Sequence, residues 1–73
     1  MDEITLSKLK EYKTSIEGFL SFEKRALESF RELPRGTEQQ VNSYIKWAEP
    51  IERTISTYET CLEELEKIFP ELS

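Results

Sequence analysis

The stretch ELPRGTEQQ, Glu32 to Gln40, is the only strong punctuation inside this chain. Pro34 disfavours helix at Leu33 and stops what precedes it. Gly36 offers a permissive backbone. Thr37 then opens Thr-x-x-Gln, a capping box in which the hydroxyl accepts from the Gln40 amide while the Gln40 side chain reaches back. The stretch reads as helix, tight turn, helix, and a turn of that length makes the two helices antiparallel neighbours.

C-terminal to the turn, apolar residues recur at alternating spacings of three and four: Val41, Tyr44, Ala48, Ile51, Ile55, Tyr58, Leu62, Leu65 and Phe69, continued by Leu72. This is a heptad seam. Pro70 ends the second helix near Phe69, because the residue before a proline is pushed out of helical backbone. N-terminal to the turn, Leu9, Tyr12, Ile16, Phe19, Ala26, Phe30 and Leu33 form a matching stripe, broken only by Glu23 in the middle of the apolar face.

Pro50 lies inside the second pattern. Counted from Val41, it occupies an outward position and removes a hydrogen bond to the Lys46 carbonyl, which water can satisfy. The heptad phase continues through it without a slip, which favours one kinked, continuous helix over a break into two. The expected fold is all-α. It is an antiparallel, coiled-coil-like hairpin in a single domain spanning 1–73, with helices over about 5–33 and 38–69 and a turn at 34–37. Folding at the turn pairs Ala26 with Ala48, Glu23 with Ile51 and Phe19 with Ile55, a waist opposite the proline.

Apolar residues remain beyond these seams: Leu6, Leu20, Phe22 and Leu27 in the first helix, and Ile45, Trp47, Cys61 and Ile68 in the second. Two helices cover only one stripe of each other, and a large exposed apolar patch marks an interface. Leu20, Phe22, Glu23, Leu27, Ile45 and Trp47 are therefore the expected partner-binding residues, with Trp47 and Phe22 as aromatic anchors. The partner is expected to be a helical segment or apolar groove of another protein, a second copy completing a four-helix bundle, or both. Glu23 is expected to pack its stem and send its carboxylate to water or to the Tyr44 hydroxyl; pairing with a base on a partner is the alternative. Cys61, beside the seam, is expected to be a small buried hydrophobe.

Composition limits the remaining classes. A chain of 73 residues buries only a modest core, and at this size burial against chain entropy comes out near zero without a staple or a partner. One cysteine makes no internal disulfide. The absence of histidine removes the Ser-His-Asp set and the usual transition-metal ligands, so neither enzymatic activity nor a metal or other cofactor is expected. No run approaches the ~18 apolar residues of a membrane span. The start MDEITLSKLK lacks the apolar core of a signal peptide, and a lone thiol suits a reducing compartment, so a cytoplasmic location is expected.

Charge is uneven. Residues 1–36 carry seven acids and seven bases, whereas residues 37–73 carry eight acids and three bases, the whole of the net −5. Such a surface repels phosphate and anionic lipid, which argues against direct nucleic-acid or membrane binding. The outer carboxylates Glu49, Glu52, Glu59, Glu63 and Glu66 give an alternative reading, a nucleic-acid mimic that blocks a basic groove. Lys46, Arg53 and Lys67 interrupt that run, and a solvated helix face also produces it.

Overall fold

A computed structural model describes residues 2–72. Helix α1 spans Glu3–Arg31 and helix α2 spans Glu38–Ile68, and a short 3-10 turn covers Pro70–Leu72. The two helices pack as an antiparallel hairpin 56 Å long and 16 by 14 Å across. Among the described residues there is no strand, and no helix is long and apolar enough to cross a membrane.

Each boundary has a local cause. Asp2 caps α1 by accepting the Thr5 amide at 2.7 Å, which starts the helix two residues before the expected position. Toward Pro34 the helix stops at Arg31, and the Leu33 amide closes its last turn on the Phe30 carbonyl. The Thr37 capping box is present in both directions, and Gln40 Oε1 accepts from the Gly36 and Thr37 amides at 3.0 and 3.1 Å. No described residue has positive φ, so Gly36 is not needed for a left-handed turn. Helix α2 runs through Pro50 unbroken.

The α2 seam is the one its periodicity describes: Tyr44, Ala48, Ile51, Ile55, Tyr58, Leu62, Leu65, Phe69 and Leu72 are all buried or half-buried, and Val41, next to the turn, is exposed. The α1 seam is not the expected one. Its inward residues are Leu6, Leu9, Lys13, Ile16, Leu20, Glu23, Leu27 and Phe30. Tyr12 and Phe19, expected inside, are 57% and 56% exposed, and Leu33 is exposed as well. Both stripes share Leu9, Ile16, Glu23 and Phe30 and have the same three-four spacing, so period alone does not separate them. The observed stripe brings in leucines at 20 and 27 and admits a lysine, Lys13. That lysine is accommodated because its ammonium lies 3.0 Å from Glu66 Oε1 and donates to the Leu72 carbonyl at 2.7 Å.

The core follows from that rotation. Leu27, Ala48 and Ile55 form one buried cluster, with Leu20, Tyr44 and Ile51 packed against it. The large Leu27, rather than Ala26, fills the space beside the small Ala48, so the expected pair of facing alanines is replaced by large against small. At the open end, the turn Pro70–Leu72 folds back and buries Leu72 against α1.

Candidate interaction surface

The hairpin has two broad faces of different chemistry. At about 100° per residue, Lys13 and Glu66 lie on one side of their seams, while Phe19 and Tyr58, with ring centroids 6.1 Å apart, lie on the other. Carrying the same period along both helices sorts the remaining residues. On the Lys13 side, α1 presents Lys10, Glu17, Lys24, Glu28 and Arg31, and α2 presents Val41, Ile45, Glu52, Glu59, Glu63 and Glu66. On the Phe19 side, α1 presents Tyr12, Ser15, Phe19, Phe22 and Ala26, and α2 presents Ser43, Trp47, Pro50, Thr54, Thr57, Cys61 and Ile68. From Tyr12 to Ala26 and from Ser43 to Cys61, this second face carries no charged side chain.

The six expected partner-binding residues do not come together. Leu27 is 7% exposed and Leu20 is half-buried against the same cluster, so both belong to the hairpin's own core. They were read as surplus because the α1 stripe was placed one position away. Ile45 is exposed on the charged face. Phe22, 69% exposed, and Trp47, 55% exposed, remain on the charge-free face, joined by Tyr12 and Phe19, which sequence reasoning had placed inside. Glu23 is half-buried at the seam margin and, among the described residues, makes no hydrogen bond or ion pair.

Toward the turn the face dips into a cleft of about 290 Å³, lined by Phe30, Leu33, Pro34, Tyr44 and Trp47 with Gln40 at its side. The Arg35 guanidinium lies 4.6 Å from the Tyr44 ring centroid, and the Lys46 ammonium 5.5 Å from that of Trp47. Cys61 is a free, exposed thiol rather than a buried hydrophobe. It lies on the same face because its position, like those of Thr54 and Trp47, is one step outside the α2 seam.

The acidic residues Glu49, Glu52, Glu59, Glu63 and Glu66 are all exposed, yet they do not form an isolated anionic surface. Glu66 is paired with Lys13, and the α1 bases Lys10, Lys24 and Arg31 share the face with Glu52, Glu59 and Glu63. Among the described residues no group of His, Cys, Asp and Glu side chains is placed to hold a metal ion, and no buried side-chain polar atom lacks a partner. No family model, curated protein or solved structure matches this chain.

Proposed function

We propose that the chain is a non-enzymatic protein-interaction module, an adaptor, co-chaperone or inhibitor, that acts by helix-on-helix burial of its apolar face. The observation that carries this reading is the uncharged face, on which Tyr12, Phe19, Phe22 and Trp47 stand exposed in a hairpin whose own core is small. Aromatic side chains at such a site supply most of the energy of an interface. The module self-associates into a four-helix bundle, which also supplies the burial that a chain of this size lacks. A bend of α2 at Pro50 curves this helix around what it binds, because the missing amide leaves the Lys46 carbonyl to water.

Two measurements test the reading. Light scattering across micromolar concentrations is expected to give a mass above that of the monomer, with a melting temperature that rises with protein concentration. A monomer mass and a concentration-independent melt would remove self-association. Capture of a protein from native lysate by the wild type, and its loss with Trp47→Ala, is the separate test of the module role. Binding that survives added salt is expected for apolar docking. Binding that collapses with salt would assign the function to the carboxylates of α2 instead, as in a nucleic-acid mimic.

A further inference from the structure

We infer that the charge-free face is closed by a second copy of this chain, set about a two-fold axis that runs along the hairpin, so that both turns lie at the same end. The inference rests on the proposed helix-packing role and adds the face, its occupant and the direction of packing.

The polar atoms of this face are already satisfied. The hydroxyls of Ser15, Thr54 and Thr57 donate to the carbonyls of Glu11, Pro50 and Arg53 at 3.1, 2.9 and 3.0 Å. Ser29 at its edge donates to Arg25 at 3.2 Å. A hydroxyl bonded back to its own helix presents carbon outward and loses little on leaving water. The face therefore behaves as more apolar than its Ser and Thr content suggests.

Charge selects a copy as occupant. The chain carries net −5, and two copies meeting through their acidic surfaces would repel. Meeting through this face keeps Glu52, Glu59, Glu63 and Glu66 on the outside of the assembly. A face 56 Å long and 16 Å wide offers roughly 900 Å². That matches the ~800 Å² per partner of a stable interface.

Side-chain size sets the direction. Along the face, α1 carries the bulk of Tyr12, Phe19 and Phe22, whereas α2 carries Pro50, Thr54, Thr57 and Cys61 at the same levels, with Phe19 beside Tyr58 as the marker. Trp47 stands level with Ala26 and Ser29, since Leu27 and Ala48 share one cluster. An axis along the hairpin lays α1 of one copy over α2 of the other at equal level. The α1 aromatics then meet small residues, and Trp47 meets Ala26 and Ser29 of the second copy. An axis across the hairpin would lay α1 on α1 and α2 on α2, bulk against bulk and small against small, and would leave voids along α2.

Sedimentation equilibrium of three charge insertions tests the face, with circular dichroism to confirm that each variant stays helical. Phe22→Glu and Thr57→Glu, on the charge-free face, should weaken dimerisation roughly 100-fold or more, since each buries an unpaired carboxylate. Ile45→Glu, on the opposite face, should leave it unchanged within about threefold. Persistence of the dimer in both face variants, or its loss in Ile45→Glu, overturns the assignment of the face while leaving self-association intact. A monomeric wild type overturns the inference altogether and leaves the lysate test of the module role standing. Direction is read by spin labels on Glu32→Cys in a Cys61→Ser background. A short separation, comparable with a few helix diameters of ~10 Å, is expected, and one approaching the 56 Å length of the hairpin overturns the same-end arrangement.

Discussion

Lys13 and Glu66 hold the open end of the hairpin, with Nζ 3.0 Å from Oε1, and the same ammonium donates to the Leu72 carbonyl. One lysine thus ties α1, α2 and the 3-10 turn together at the end opposite the Thr37 cap. The pair is partly buried, with the lysine the more enclosed partner. Charged hydrogen bonds in such a setting contribute about 1.5–3 kcal/mol before the loss of packing is counted. Lys13→Ala should therefore lower stability by about 2 kcal/mol and increase hydrogen exchange of the Leu72 amide. Lys13→Met, which restores an apolar stripe of similar volume, should recover most of the global stability. Chemical denaturation of both variants at one protein concentration checks this.

Leu27 and Leu33 test the rotation of the α1 seam. Leu27 is in the core cluster, whereas Leu33 is exposed beyond the end of α1. Truncating a buried leucine costs about 2–5 kcal/mol, and an exposed site typically changes stability by about 0.5. Leu27→Ala should give the first result and Leu33→Ala the second, measured by denaturant midpoint. The reverse order would restore the stripe through Tyr12 and Phe19.

Glu23 is half-buried with no partner among the described residues. Glu23→Leu should keep full helicity and raise stability by about 1 kcal/mol, because it removes a desolvated carboxylate from the seam margin. A thermal melt at fixed concentration reads this directly. A large loss of stability would show that the carboxylate has a partner in solution.

Pro50→Ala should restore the amide bond to the Lys46 carbonyl inside a helix that is already continuous. Relieving an interior proline contributes up to about 3 kcal/mol, less whatever packing the bend had optimised. Equal or higher helicity and undiminished stability are expected, together with weaker association, because Pro50 lies on the charge-free face. Circular dichroism and sedimentation separate the two halves. A sharp fall in stability would instead assign Pro50 the role of a helix-starting residue.

The Asp2 cap predicts a local response to acid. Its bonds from the Thr5 backbone hold the carboxyl below its usual value of 3.8. A depressed acid stabilises the folded state above its unfolded pKa, and that contribution is lost as pH falls through the lower folded value. Amide exchange at Thr5 should therefore accelerate on strong acidification, after correction for intrinsic rates, and Asp2→Asn should remove the pH dependence.

The hairpin was legible from ELPRGTEQQ because caps and turn chemistry are local. Thr37, Gln40 and Pro34 act on backbone groups within four residues of themselves, and no distant contact is needed to read them. The α2 seam was legible for a related reason: only one stripe on that helix is apolar without interruption, so the period has a single solution. On α1 two stripes share every other position, and the choice between Tyr12 with Phe19 and Lys13 with Leu20 rests on what stands opposite. Tertiary structure decided it, because Lys13 is tolerable in a seam only where Glu66 and the Leu72 carbonyl, more than fifty residues away in sequence, meet its ammonium. That choice turned Leu20 and Leu27 inward and Tyr12 and Phe19 outward, and so moved the candidate binding surface. Local chemistry fixed where the helices begin and end; the long-range partner of one charged side chain fixed which way α1 faces.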